Sequence, residues 1–278
     1  MNHTLSIFPK VLARLDVRAL AAVLRDVGLD ACNVVIRDGF WVTPDGLASE
    51  LPRFARALRN EGITVNFATA GYSAEQLAAD PAPLAVMADN GIADFRMGYF
   101  RLEGAGDRRA QLADARRQME TLAALCERHG VRAVYQLHHG MLVSSASAAW
   151  RLVEGLPAAH VGIELDPGNQ SFEGTENWAF AAGLLGEYLA AVGVKDTVVV
   201  RDSARGADSD KGWHRRWAPI DEGVTNWREL SICLKRVGFS GPFVFMPFYD
   251  SDHLEVLIPK LKREVAYLKQ IVESEEGP

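Results

Sequence analysis

Short apolar runs recur along the chain, and six of them follow a glycine that closes a helix-like stretch. Gly28 precedes Ala31–Ile36, Gly62 precedes Thr64–Thr69, Gly91 precedes Asp94–Phe100, and Gly130 precedes Ala133–Leu137. Gly193 precedes Val194-Lys195-Asp196, and Gly238 precedes Phe243–Tyr249. A glycine past a helix end supplies the left-handed C′ conformation, and the apolar run after it reads as a buried strand. Repetition at roughly 30 residues is the rhythm of βα units on a parallel sheet.

Eight strands are predicted: Leu5–Phe8, Ala31–Ile36, Thr64–Thr69, Asp94–Phe100, Ala133–Leu137, Val161–Leu165, Ala190–Lys195 and Phe243–Tyr249. Helical patterns separate them. Asp16 is placed to cap Val17–Val27, whose Leu20, Val23, Leu24 and Val27 form an apolar stripe. Gln111–His129 aligns Leu112, Ala115, Met119, Leu122 and Cys126 on one face. Leu254–Val272 reads as a closing helix before an acidic tail, Glu273–Pro278. Eight strands close a barrel, whereas five or six would suit a doubly wound sheet. No linker interrupts the rhythm, and 278 residues suit a single (β/α)8 TIM barrel of about 250 residues. The expectation is one domain over residues 1–278.

Composition narrows the function classes. Thirty basic against 36 acidic residues leave a net charge of −6, the wrong balance for a general nucleic-acid binder. No apolar run reaches the about 18 residues of a membrane span, and the N-terminus lacks a basic-then-apolar leader, so a soluble, cytoplasmic protein is expected. Cys32, Cys126 and Cys233 fit neither a disulfide framework nor a thiolate metal motif and read as buried packing residues. The expected partner is a small molecule, without nucleic acid or membrane, and a homodimer is left open.

In such barrels chemistry sits where strands end. Strand five ends Gln136-Leu137-His138-His139-Gly140. Alternation puts the two histidines on opposite sides and gives Gln136 and His138 a shared direction. Strand six ends Glu164-Leu165-Asp166-Pro167-Gly168-Asn169, where Asp166 either handles a ligand or proton or caps its own turn. Strand seven ends in Lys195, which could hold an anion, act as an acid or form a Schiff base. Arg96 and Tyr99 on strand four offer a guanidinium and a phenol to the same mouth. Two connections are long: Asp38–Pro52 and Asp196–Val224. The second holds Arg201, Arg205 and the stretch Lys211-Gly-Trp-His-Arg-Arg-Trp217, read either as a solvated loop or as an anion-capturing one through Arg215 and Arg216.

With these endings in view, the chain resembles the xylose isomerase-like barrels, also called the sugar phosphate isomerase/epimerase superfamily. The resemblance runs through Asp94-Phe-Arg-Met-Gly98, Gln136-Leu-His138, Asp166-Pro-Gly-Asn169, Val194-Lys-Asp196, Pro219-Ile-Asp-Glu-Gly223 and Gly241-Pro-Phe-Val-Phe-Met-Pro-Phe-Tyr249. It implies a divalent-metal site of Glu, Asp, His and Glu from strands five to eight. Those positions read Gln136, Asp166, Gly193 and Phe248, so the usual site is expected to be absent. Trp41 stands where relatives often carry histidine. Asp250, Asp252 and His253 offer material for a different metal site. The expectation is an isomerase, epimerase or lyase that transfers a proton next to a carbonyl on a small oxygenated anion without a metal. His138, Asp166 and Lys195 are its candidate catalytic residues. Gln136, Arg96, Tyr99, Trp41, Asn169, Arg215, Arg216 and Phe248 are its candidate substrate contacts. A conventional metal-dependent sugar isomerase and a non-catalytic binding barrel are the alternatives.

Overall fold

A computed structural model describes residues 3–202, 212–250 and 252–274. Its main sheet has eight strands: β1 (Leu5–Ile7), β2 (Val34–Val35), β3 (Phe67–Thr69), β4 (Asp94–Arg96), β5 (Arg132–Gln136), β6 (Val161–Leu165), β7 (Leu189–Val194) and β10 (Phe243–Phe245). They lie in the order β1-β10-β7-β6-β5-β4-β3-β2, and every pair is parallel. The two ends of that order meet. Asn33 N donates to Ile7 O at 2.9 Å, and Ser6 Oγ donates to Asn33 Oδ1 at 2.7 Å. Helices between successive strands pack outside, so the protein is a single (β/α)8 barrel.

The apolar pattern divides between two cores. Phe8, Val35, Phe67, Val134, Ala191, Val244 and Met246 fill the inside of the barrel. A larger cluster lies between sheet and helices, and the stripe Leu20, Leu24 and Val27 of the helix Val17–Val27 belongs to it. Asp16 caps that helix by accepting from Ala19 N at 2.8 Å, as its position predicts. Gly28 and Gly130 end their helices in the left-handed region, with φ of 83° and 66°. All three cysteines are free and buried. Among the described residues no helix is long and apolar enough to cross a membrane.

Several expected elements are corrected. The strands predicted over Asp94–Phe100 and Phe243–Tyr249 shorten to β4 and β10, because the chain leaves the sheet to build the mouth, and Ala31–Ile36 shortens to β2 with isolated bridges at Ala31 and Ile36. Gly193 closes no helix. It lies inside β7, where a Cβ would come 3.0 Å from Asp166 Oδ2 and 3.4 Å from Met246 Cε. The long connection after strand two, Asp38–Pro52, ends in the first turns of the helix Leu47–Asn60. The connection after strand seven is an antiparallel hairpin of β8 (Asp196–Arg201) and β9 (Trp213–Ala218). Asp196 anchors its base, accepting from Thr225 N at 3.0 Å and Trp227 Nε1 at 2.9 Å. Arg205, Lys211 and the end of the acidic tail, 275–278, lie outside the described residues.

Candidate active site

The strands deliver their last side chains to one end of the barrel, around a cavity of about 170 Å³. Its walls are Phe8, Lys10 and Arg37 from the ends of β1 and β2, Arg96 and Tyr99 from β4, Gln136 and His138 from β5, Lys195 after β7, and Met246 and Phe248 after β10.

Beneath it runs a continuous polar network. Arg96 Nη1 donates to Gln136 Oε1 at 2.6 Å and to Tyr99 Oη at 2.9 Å, and Tyr99 Oη donates to Gln136 Oε1 at 2.5 Å. The other end of the amide, Gln136 Nε2, donates to Asp166 Oδ2 at 2.6 Å and to Met246 Sδ at 3.4 Å. Asp166 sits at the start of the short helix Pro167–Gln170. Its Oδ1 accepts from Asn169 N at 2.8 Å, and its Oδ2 also accepts from Asn169 Nδ2 at 2.8 Å. Lys195 Nζ lies 3.3 Å from Asp166 Oδ2 and donates to Asn169 Oδ1 at 2.8 Å. Its ammonium stands over the rings of Trp217, at 4.5 Å, and Phe248, at 5.2 Å.

Lys195 is 4% exposed and Asp166 fully buried, so each charge has the other as its counter-ion. Burial raises the Asp166 carboxyl and lowers the Lys195 amine, while their mutual attraction pulls both back toward the charged forms. Four donors on one carboxylate and two ring faces on one ammonium favour the ion pair. Glu164, also buried, is different. Neither of its oxygens has a hydrogen-bond partner, and burial pushes its carboxyl up to about 7.

The two histidines depart from simple alternation because β5 ends at Gln136. Their rings stack, with centroids 4.5 Å apart. His138 Nδ1 is 2.7 Å from His139 O, a group that can only accept. The proton therefore sits on Nδ1, which leaves Nε2 as the basic nitrogen of a side chain that lines the cavity. Burial, helped by the Lys195 charge, pushes His138 down to about 4, so the ring is neutral at neutral pH. His139 stays outside the cavity wall. Its Nδ1 lies 3.0 Å from Asn169 Oδ1, and its ring stacks on Phe172. The Tyr99 phenol is pushed up to about 12 by burial and keeps its proton.

Of the expected site residues, His138, Lys195, Gln136, Arg96, Tyr99 and Phe248 meet at the cavity. Asp166 and Asn169 stand behind it and hold Lys195 and Gln136 in place. Trp41 is elsewhere: its Nε1 donates to Leu15 O at 2.9 Å and its ring stacks on Phe54, so it ties the bend before the helix Val17–Val27 to the helix Leu47–Asn60. The hairpin brings Trp217 to the mouth, while Arg215 and Arg216 are not among the cavity-lining residues. Lys10, Arg37 and Met246 were not expected. Lys10 and Arg37 obey the same strand-end rule that selects Lys195, applied to the first two strands.

The positions that the resemblance assigns to a metal do not fit one. The oxygens of Asp166 receive four donors, matching the about four acceptor sites of a carboxylate, and one donor is itself a cation. Gln136 Oε1 is taken by Arg96 and Tyr99. Gly193 has no side chain, and the strand-eight residue that meets Gln136 is the thioether Met246, with Phe248 further out. Among the described residues, Asp250, Asp252 and His253 included, no group of three or more His, Cys, Asp or Glu could hold a metal ion.

The model of the xylose isomerase-like TIM barrel family matches residues 21–271. The chain belongs to that family. Solved xylose isomerase-like barrels share the fold at low identity. An IolI protein crystallised with a zinc atom is 16% identical with a TM-score of 0.74, over 98% of this chain and 100% of that one. An L-ribulose 3-epimerase is 15% identical with a TM-score of 0.69, over 100% of both chains. A D-psicose 3-epimerase in the presence of D-fructose is 14% identical with a TM-score of 0.68, over 99% of this chain and 100% of that one. A search of curated proteins finds no match.

Proposed function

We propose that this xylose isomerase-like barrel is an isomerase, epimerase or lyase that moves a proton next to the carbonyl of a small oxygenated anion, with no divalent metal at the mouth. The observation that carries the reading is the pairing of one neutral, tautomer-fixed base, His138, with cations at a shared cavity. Two fold relatives, the L-ribulose 3-epimerase and the D-psicose 3-epimerase, support the epimerase part of it.

In this mechanism His138 Nε2 takes the proton from the carbon next to the carbonyl, and the electron pair moves onto the carbonyl oxygen. The resulting enolate carries its charge beside Lys195 or Arg96, cations fixed in place before the reaction begins. Return of the proton to another carbon gives isomerisation, delivery of a solvent proton to the opposite face gives epimerisation, and departure of a neighbouring hydroxyl as water, taking the proton held by His138, gives elimination. Asp166 and Asn169 act as positioning residues that hold the Lys195 ammonium over the cavity. Lys195 thus takes the electrostatic part that a divalent ion would otherwise supply.

The test is deuterium incorporation from solvent into a panel of three- and four-carbon hydroxy-oxo acids. Exchange at the carbon next to the carbonyl is expected with the native protein, and His138→Ala should lower it at least about 10²-fold. Equal exchange by the two proteins, or exchange with no member of the panel, would overturn the reading.

A further inference from the structure

The charge around the cavity is out of balance. Lys10, Arg37, Arg96 and Lys195 all line it, and no carboxylate does. Of these four cations only Lys195 has, among the described residues, a carboxylate within ion-pair distance, the buried Asp166. Glu164 is the other acid in this part of the barrel, and neither of its oxygens bonds to a cation. Four cations against at most two carboxylates leave an excess of at least two positive charges at the mouth of a chain whose net charge is −6.

The cations also fall into two pairs. Lys10 and Lys195 share the Phe248 ring, at 5.4 and 5.2 Å from its centroid. Arg96 stands over the Phe8 and Tyr99 rings at 5.4 and 5.2 Å. Arg37 lies close enough for the Arg96 charge to add to burial in lowering its pKa. The Phe8 and Phe248 rings, with centroids 5.9 Å apart, each back one pair. A single carboxylate has two oxygens for the four cations that line the cavity. The volume of about 170 Å³ is several times the about 30 Å³ of a water and below the roughly 300 Å³ at which drug-sized pockets begin.

We propose that the substrate is a short dianion with an acid group at each end, one held by Lys10 and Lys195 and the other by Arg37 and Arg96. The reacting carbon then lies between the ends, beside His138. This assignment rests on the proton-transfer reading of the same site, but binding tests it without turnover.

The experiment is calorimetric titration at low ionic strength with malate, 3-hydroxybutyrate, 3-phosphoglycerate and D-fructose. Malate should bind at least about 10-fold more tightly than the four-carbon monoanion 3-hydroxybutyrate. Lys10 and Arg37 are exposed, so Lys10→Met and Arg37→Met leave the packing intact. Each should weaken malate at least about 10-fold and leave 3-hydroxybutyrate within about 2-fold, because a monoanion can still use the other end. Tighter binding of 3-phosphoglycerate than of malate would assign a phosphate to one end, and the reverse would assign carboxylates to both. Either order supports the dianion. Equal affinity for malate and 3-hydroxybutyrate, a malate preference that survives both substitutions, or tightest binding of D-fructose would overturn it. The native protein separates the two ideas: malate bound as expected while exchange is absent would sink the proton-transfer reading alone.

Discussion

Lys195→Met removes the one cation paired with Asp166 and leaves a carboxylate with no exposed surface. At 3.3 Å and an effective dielectric constant of about 20, the lost attraction is about 5 kcal/mol before solvation is counted. Breaking a buried pair from one side typically costs about 3–5 kcal/mol, because the remaining charge keeps its desolvation penalty. Asp166→Asn strands the ammonium in the same way. The double variant strands neither, so its loss should fall short of the summed single losses by at least about 2 kcal/mol. Urea unfolding of the four proteins at pH 7.5 measures this. In Lys195→Met the folded carboxyl rises further above its unfolded value of about 3.9. That variant is therefore least impaired near pH 4 and loses stability as pH rises through the folded pKa. Losses that add to within about 0.5 kcal/mol would show that Lys195 and Asp166 do not depend on each other and would refute the reasoning.

Three further outcomes follow from other parts of the molecule. His138 must be unprotonated to act as the base, and its pKa is about 4, so kcat/KM should stay level from pH 7 down to about 5; an acid limb near 6.5 would contradict the assignment. Glu264, bonded to Tyr249 Oη and Ile220 N inside the closing helix, is pushed up to about 8, chiefly by burial. Its raised folded pKa makes stability greatest below about 4.3 and progressively lost as pH rises toward about 8. Glu264→Gln should therefore gain on the native protein over that window by at least about 1 kcal/mol in chemical unfolding, and a pH-independent difference would contradict this. Trp41→Phe should cost about 1 kcal/mol through the lost bond to Leu15 O, with malate affinity unchanged; a weaker malate complex would return Trp41 to the site.

The barrel was legible because five glycines followed by apolar runs mark real helix ends, and because Leu5–Ile7 and Val161–Leu165 are continuous buried runs. Gly193 misled for a physical reason: a glycine inside a strand, leaving room for Asp166, looks in sequence like one after a helix. The hairpin was hidden because only Lys195 separates β7 from β8, and Asp196–Val224 read as one long connection after strand seven. The stacked histidines broke alternation once the chain left the sheet. Lys195, Arg96 and Gln136 were found by their strand ends. The partners that define their roles, such as Asn169 for Lys195 and Tyr99 for Gln136, depend on distances that no spacing in the sequence encodes.

The central claim is that an internal ammonium and a neutral imidazole do the work at this mouth. Its most direct test is solvent deuterium exchange into the hydroxy-oxo acid panel, run with protein treated with a strong chelator and then with added Mn²⁺, Mg²⁺ or Zn²⁺. The account predicts the same exchange rate before chelation, after it and after metal is restored, and at least about a 10²-fold fall in His138→Ala under every condition. Exchange that vanishes on chelation and returns with a divalent ion would contradict it.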